Sequence, residues 1–244
     1  MKVDIIRLPE TDSTNDYAIR LLSQNRPGEG CVIITDHQTK GKGLDTNTWE
    51  SEKSMNLTFS LILYPEFPAS QQFLLNKGIS LGIYDFLKVE LPGSEISIKW
   101  PNDIYCGDKK ICGILIQNSL IADRFDYVVV GIGLNVNQTQ FRSNAPNPVS
   151  IKILTGIDFN LQEMLEKLLY AILDRYSQVK YKPEKIEKDF QKVLYRMMKW
   201  HEYEVKGTVV KARITGTNAY GQLMLETETN PIIICDLKEV KFML

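Results

Sequence analysis

Residues 99–115 read KWPNDIYCGDKKICGIL, and this stretch indicates more about the fold than any other. Its first part, Trp100 to Asp103, is a turn sequence, because proline fixes φ and both Asn and Asp favour tight turns. A second turn is predicted through Gly107 and Asp108, and the apolar run after it is typical of a strand. We therefore predict strands over 96–100 and 110–117.

Lys110 stands at the beginning of the second of these strands. Burial of an unpaired lysine costs several kcal/mol, so two interpretations remain open. Lys110 lies either at the exposed edge of the sheet or in the interior beside a charged partner.

Residues 128–137, VVVGIGLNVN, form an apolar run that ends in two asparagines. In a strand, a spacing of two places Asn135 and Asn137 on one face. Asparagine is depleted in strands, so both amides need hydrogen-bond partners. The pair is either a bulge that satisfies its own amides or part of a binding surface.

Residues 35–51, TDHQTKGKGLDTNTWES, lie between predicted strands over 31–36 and 56–63. Gly41 and Gly43 allow the backbone to approach a ligand, and the lysines around them supply positive charge. The loop lacks the GK[ST] ending of a Walker A motif and the third glycine of a dinucleotide-binding fingerprint. It is either an anion-binding loop or a hairpin with solvated lysines.

The remaining sequence predicts an α+β region followed by an all-β region. Ser13 with Asp16 three residues later indicates a helix start, and apolar periodicity predicts helices over 69–88, 161–181 and 184–194. From Trp200 onward, five short β-rich runs at 202–205, 208–215, 222–227, 231–236 and 239–242 predict a small barrel.

Composition excludes several classes of protein. The net charge of −1 and pI near 6.2 argue against a protein whose main task is nucleic-acid binding. Four cysteines without a CxxC pair, and only two histidines, disfavour a zinc site and predict reduced thiols in a cytoplasmic protein. The first ten residues do not resemble a signal peptide, and no apolar run is long enough to span a membrane.

Together and in this order, the stretches resemble the biotin protein ligase family. Asp12–Asn15 resembles its DSTN helix start, and Gln38 through Trp49 resembles its GRGRxGRxW loop. KWPND at 99–103, KxxGIL at 110–115 and GIGxNVN at 131–137 match the family most specifically. The resemblance implies a mixed sheet with helices on one face, a class II synthetase-like core, over 1–195. It also implies an SH3-like β-barrel over 196–244, where Lys238-Glu239-Val240 replaces the usual GEV.

The family resemblance implies an ATP-dependent reaction in two steps. Biotin's carboxylate attacks the α-phosphate of ATP to give biotinyl-5′-AMP, and a lysine of a biotin carboxyl carrier protein then attacks the mixed anhydride. Lys110 is implied as the catalytic lysine. The implied biotin-binding residues are Ser13, Thr14, Asn15, Gln38, Gly41, Lys42, Gly43, Leu44 and Lys110. The implied ATP or adenylate contacts are Lys42, Trp49, Asn102, Asp103 and Asn135, with Mg²⁺ held at Asp103.

The loop departs from the family pattern. Leu44 stands where arginine is usual, and Asp45 adds a negative charge beside it. The loop is therefore expected to hold an adenylate more weakly than the family pattern provides. Because the chain begins almost directly at the catalytic region, we expect a monofunctional form that binds no DNA and no membrane, as a monomer or a homodimer. Two alternatives stay open: a lipoate-type ligase, and a non-catalytic paralogue that binds biotin or its adenylate.

Overall fold

A mixed sheet of seven strands forms the larger part of the chain in the computed structural model, which describes residues 3–44, 47–143, 147–229 and 231–243. The strands are β1 (Ile5–Leu8), β2 (Val32–Thr35), β3 (Leu57–Leu63), β4 (Ile96–Lys99), β5 (Asp103–Cys106), β6 (Lys109–Ile121) and β7 (Arg124–Leu134). Their order across the sheet is β1-β2-β3-β7-β6-β5-β4. β1 and β2 are parallel, and each other neighbouring pair is antiparallel.

Two details of the sheet differ from the sequence prediction. β5 was not predicted, because Asp103 was assigned to a turn and residues 104–106 to no element, but Asp103–Cys106 pairs with both β4 and β6. β7 ends at Leu134, so Asn135 and Asn137 follow the strand and do not share a face of it. Each of these asparagines binds a different downstream segment, through the carbonyls of Val149 and Phe159 respectively.

The described ranges contain five α-helices: α1 (Thr14–Gln24), α2 (Gln72–Glu90), α3 (Ile151–Thr155), α4 (Leu161–Tyr181) and α5 (Pro183–Lys192). α1 and α2 contact strands of the sheet, and α4 and α5 pack against α2. The predicted span of α4 is confirmed, whereas the short helix α3 was not predicted. Ser13 caps α1, and its side chain accepts a hydrogen bond from the backbone N–H of Asp16. No helix within the described ranges is long and apolar enough to cross a membrane.

Successive side chains of β3 point to opposite faces of the sheet. Leu57, Phe59 and Leu61 are buried in the main hydrophobic core with residues of α2 and α4. Ile62 belongs instead to a smaller cluster with Ala18 of α1, on the opposite face. Thr58 and Ser60 share this second face, so a polar stretch of the sheet lies next to the start of α1.

The C-terminal residues form a separate five-stranded antiparallel sheet, as the sequence predicted. Its strands are β8 (Trp200–Val205), β9 (Thr208–Thr217), β10 (Leu223–Thr227), β11 (Ile232–Cys235) and β12 (Val240–Phe242), in the order β11-β10-β9-β8-β12. The indole Nε1 of Trp100 donates to the carbonyl of Gly221 at 2.8 Å and joins the two sheets. Their buried residues form one continuous hydrophobic cluster.

Candidate active site

A cavity of about 170 Å³ lies on the polar face of the larger sheet. Its floor is one row of cross-strand neighbours, in which Thr58 pairs with Gly133, Gly133 with Gly113, and Gly113 with Asp103. The start of α1 and the loop between β2 and β3 form its walls. The sheet therefore brings together motifs that are separated by more than a hundred residues in the sequence.

Glycines in the floor allow two large side chains to lie directly on the sheet. A Cβ atom at Gly133 would stand 2.2 Å from Cε2 of Trp49, and one at Gly113 would stand 3.0 Å from Cζ3 of the same indole. A Cβ at Gly131 would stand 2.3 Å from Oδ1 of Asn15. The glycines of GIG and KxxGIL are thus required for close approach of Trp49 and Asn15.

A buried polar cluster forms one end of the cavity. Gln38 Oε1 accepts from the backbone N–H of Thr14 at 2.8 Å and from its hydroxyl at 3.1 Å. The Ser60 hydroxyl lies 2.7 Å from Thr14 Oγ1 and donates to Asn15 Oδ1 at 2.6 Å. The Asn15 amide in turn donates to Gln117 Oε1 at 2.8 Å. These contacts fix the orientation of each side chain at this end of the cavity.

Lys110 has a charged partner inside the cavity. Its ammonium lies 2.8 Å from Asp103 Oδ1, and both side chains remain about one quarter exposed, at 23% and 27%. The same ammonium lies 5.7 Å from the centre of the Trp49 ring. The paired interpretation of Lys110 is therefore the correct one, and the ion pair faces the open volume.

The glycine-rich loop is a hairpin that closes on itself. The Gly41 carbonyl accepts from the Trp49 N–H at 3.0 Å, and the Gly43 N–H donates to the Asn47 carbonyl at 2.8 Å. Lys42 remains about half exposed, at 49%, and its ammonium lies 2.7 Å from Asp16 Oδ2 of α1. Leu44 lines the cavity at the tip of the hairpin, whereas Asp45 lies outside the described residues.

Most of the predicted site residues line this cavity: Ser13, Thr14, Asn15, Gln38, Lys42, Gly43, Leu44, Trp49, Asn102, Asp103 and Lys110. Gly41 and Asn135 do not. Gly41 contributes to the hairpin through its carbonyl, which accepts from the Trp49 N–H. The buried Asn135 amide donates to the Val149 carbonyl at 3.1 Å. Asn102 is held by its own amide, which donates to the Ile114 carbonyl at 2.6 Å.

Thr58, Ser60 and Gln117 were not predicted as site residues. The signal was present in β3, where polar residues alternate with Leu57, Phe59 and Leu61. Such alternation in a fully buried strand indicates that one face is lined by polar groups.

Lys99 extends the same row of the floor, opposite Asp103. Its ammonium donates to the Tyr105 hydroxyl at 2.9 Å and lies 5.0 Å from the centre of the Phe242 ring of β12. Burial lowers the pKa of Lys99, and the nearby Asp103 carboxylate opposes that effect. A second lysine thus contributes positive charge near the Asp103 carboxylate, next to Phe242 of the C-terminal sheet.

The residues available for a metal are few. No group of three or more His, Cys, Asp or Glu side chains is placed to hold a metal within the described part of the chain. Asp103 is the carboxylate that lines the cavity. Because Mg²⁺ is commonly bound by one or two carboxylates together with substrate phosphates and water, this donor set fits an ion that arrives with a nucleotide.

Comparison with known proteins identifies the family. The sequence pattern of the Biotin/lipoate A/B protein ligase family matches residues 8–135, slightly more than half of the chain. The chain belongs to this family. The family resemblance drawn from KWPND, KxxGIL and GIGxNVN is thereby confirmed.

Individual relatives give the same result. The chain is 36% identical over 126 residues to the bifunctional ligase/repressor BirA of Bacillus subtilis, a match that covers 52% of this chain and 38% of that protein. It is 31% identical over 169 residues to the biotin–[acetyl-CoA-carboxylase] ligase of Paracoccus denitrificans, covering 67% of this chain and 69% of the relative. The chain thus spans about two fifths of the length of the first relative and about two thirds of the length of the second.

The solved structure of biotin protein ligase from Aquifex aeolicus in complex with biotin and ATP superimposes with a TM-score of 0.80 at 27% sequence identity. The alignment covers 98% of each chain, including the C-terminal sheet. The predicted fold, a mixed α+β ligase core with an SH3-like C-terminal unit, is confirmed.

Proposed function

We propose that the chain is an ATP-dependent ligase that activates biotin as biotinyl-5′-AMP. It then transfers the biotinyl group to a lysine of a biotin carboxyl carrier protein. The relatives named as biotin ligases, and the Aquifex structure with biotin and ATP, support this reaction class. The single observation that carries the proposal is the Lys110 ammonium, held 2.8 Å from Asp103 and facing the cavity.

The first step requires two anions to meet. A biotin carboxylate must approach the α-phosphate of ATP, and the repulsion between them must be offset by positive charge aimed at both. Lys110 is placed for this role, since its charge lies over the glycine floor where backbone groups leave room for ligand atoms. A compact ammonium also suits a position shared by the carboxylate, the phosphate and the adenylate in succession.

The polar cluster around Thr14 favours biotin over lipoate as the substrate. Biotin's ureido ring carries two N–H donors and one carbonyl acceptor, whereas the dithiolane ring of lipoate carries neither. Ser13, Thr14, Asn15 and Gln38 offer hydroxyl and amide groups at the closed end of the cavity, and Gly41, Gly43 and Leu44 belong to the hairpin beside it. We assign the ureido ring to this end, which leaves the carboxylate of biotin directed toward Lys110.

The nucleotide is assigned to the other end of the cavity. Of the residues that line the cavity, we assign Trp49, Asn102 and Asp103 to the nucleotide, together with Lys42 of the hairpin. Asp103 would hold the Mg²⁺ that accompanies the phosphates. Mg²⁺ supplies charge neutralisation on the phosphates when it is bound. Asn135, which lies behind the floor, would act only by fixing the segment after β7.

The proposal also includes the domain roles, the compartment and the partners. We assign catalysis to residues 1–195 and a supporting role to the SH3-like unit at 196–244, in a cytoplasmic monomer or homodimer. The acceptor is a carboxylase carrier, and with a net charge of −1 we expect no shift of duplex DNA at physiological salt.

Intact mass of a biotin carboxyl-carrier domain tests the proposal. The protein is incubated with the carrier, Mg-ATP and either biotin or lipoate, beside an unrelated lysine-rich protein. One biotin on the carrier is the expected result. Addition of lipoate alone would establish the lipoate-type alternative. No label, despite measurable biotin binding by calorimetry, would establish the non-catalytic alternative.

A further inference from the structure

A second cavity of about 270 Å³ lies beside the active site, where the two sheets meet. The start of α2, the turn at Trp100 and β6 line one side, and the loops at 220–222 and 236–237 of the C-terminal sheet line the other. The two cavities share Leu44, Pro101, Asn102 and Leu115. A group that enters the second cavity therefore reaches the contents of the first across these four residues.

The two cavities differ in charge. The active-site cavity contains Lys42, Lys110 and Asp103, whereas Asp236 is the one lining residue of the second cavity with a formal charge at neutral pH, among the residues that the structure describes. The Asp236 carboxylate accepts from Gln222 Nε2 at 2.9 Å, which fixes it at the rim. The second cavity thus favours a cation and disfavours a phosphate.

The walls of the second cavity are suited to an alkyl chain. Phe73, Trp100 and Leu237 provide apolar surface between the rim and the shared residues. Leu44 adds another apolar group at the junction, in the position where the family pattern has arginine.

We propose that this second cavity receives the acceptor lysine of the carrier protein. Its four-carbon stem lies along the apolar walls, and its ammonium is attracted first by Asp236. This inference rests on the proposed function. In the transfer step the lysine nitrogen bonds to the acyl carbon of biotinyl-AMP, and the bond from that carbon to the phosphate oxygen breaks. AMP leaves with the electron pair, and two protons pass from the ammonium to solvent.

The alternative occupant is the triphosphate of ATP. Its oxygens would stand against the Asp236 carboxylate with no compensating cation among the described lining residues. The charge of the cavity therefore favours the acceptor over the nucleotide.

Two half-reactions, measured separately, test the inference. Biotin-dependent ATP–pyrophosphate exchange reports adenylate formation, and biotinylation of a carrier domain reports transfer. The variants are Asp236→Asn, which retains an acceptor for Gln222, and Asp236→Lys. Glu228→Gln is the matched control, because it neutralises a carboxylate of the same sheet that pairs with Lys211 and does not line the cavity. Hydroxylamine, a nucleophile that is neutral near pH 7, serves as an acceptor that needs no ammonium site.

We expect exchange and hydroxamate formation to be unchanged in Asp236→Asn, with the KM for the carrier raised about two- to fivefold. Asp236→Lys should raise that KM further, and Glu228→Gln should leave it unchanged. An equal KM in all variants, or a KM for ATP that falls in Asp236→Asn, would overturn the inference. Absence of exchange in the unmodified protein would instead refute the proposed function itself.

Discussion

Lys110 combines charge, position and partial exposure in one side chain. Its ammonium is held by Asp103 and lies near the Trp49 indole, and it remains accessible from the cavity. A lysine used only for structure would gain little from such a partly solvated ion pair. Its position is explained if the charge is needed for anionic ligands.

Replacement of Lys110 should therefore remove adenylate formation while the fold is kept. We expect Lys110→Gln to lower biotin-dependent pyrophosphate exchange by about a hundredfold or more, since one preorganised donor at a developing charge contributes on that order. Lys109→Gln, at the exposed neighbouring residue, is the control. Comparable exchange in Lys110→Gln and Lys109→Gln would show that Lys110 is not catalytic.

Leu44 is expected to set how long the adenylate is retained. A guanidinium at this position would add a charge-assisted hydrogen bond to the phosphate, worth about 1.5–3 kcal/mol. Leu44→Arg should thus slow release of biotinyl-AMP about ten- to a hundredfold, measured by rapid filtration of labelled adenylate. Leu44→Met controls for side-chain size, and equal release from all three proteins would discard the idea.

At the level of residues, the motifs indicated which side chains matter but not their partners. From the sequence, Lys110 could be either exposed or paired. The structure has a bulge between Ile104 and Tyr105 that shifts the register of β5 against β6. Asp103 is placed beside Lys110 by that bulge, which local sequence does not predict. Lys42 likewise pairs with Asp16 across a distance that no sequence motif reports.

At the level of elements, β6 and β7 form the platform for the site. Gly113 and Gly133 are direct cross-strand partners, and the Trp49 indole lies over both. The strand glycines belong to the motifs that carry the family resemblance, but no role was predicted for them. Their purpose became evident only when the loop that carries Trp49 was seen folded back onto the strands.

Addition of a methyl group to this platform should disturb the site. Gly133→Ala would place Cβ 2.2 Å from the indole, so Trp49 must move, at a cost of about 1–3 kcal/mol. Because Trp49 is assigned to the nucleotide end of the cavity, we expect weaker ATP binding by calorimetry and a lower melting temperature. Gly28→Ala, where a Cβ meets nothing within 4 Å, is the control. If Gly133→Ala binds ATP as tightly as Gly28→Ala does, Trp49 does not support the nucleotide.

Arg175 of α4 links three helices through carboxylates. Its guanidinium donates to Asp85 of α2 and to Asp189 of α5, the latter at 2.8 Å. The hydrogen bond from Arg175, with a second from Lys185, lowers the pKa of Asp189 to about 2. A carboxylate with a depressed pKa in the folded state stabilises the protein above its unfolded pKa, and this contribution is lost as the pH falls.

Asp189→Asn should therefore lower the free energy of unfolding by about 1–2 kcal/mol at pH 7. The difference from the unmodified protein should shrink between about pH 4 and pH 2, because the lost carboxylate is then protonated in the reference protein as well. Urea titrations at several pH values measure this. Asp158→Asn, in an exposed pair with Lys152, is the control. A difference that stays constant down to pH 2 would contradict the role of this ion pair.

At the level of the whole molecule, composition and β-rich spacing predicted an α+β region followed by a small all-β unit. The contact between them was not predictable, because it depends on single long-range pairs. Trp100 donates to Gly221 across 121 residues, and a Cβ at Gly221 would stand 2.3 Å from the Phe73 ring. This contact also lies in the wall of the second cavity, so the proposed entry of the acceptor lysine depends on how the two sheets are arranged.

The continuous hydrophobic cluster predicts that both sheets unfold together. Under increasing urea, hydrogen exchange of the most protected amides in β7 and β9 should converge on one free energy of unfolding. Trp100→Phe leaves the buried Gly221 carbonyl without its partner, and should lower that free energy by about 1–3 kcal/mol in both strands. If only the β9 amides lose protection, the C-terminal sheet opens independently. The second cavity would then be a transient feature, because its Asp236 side would separate from its Trp100 side whenever that sheet opened.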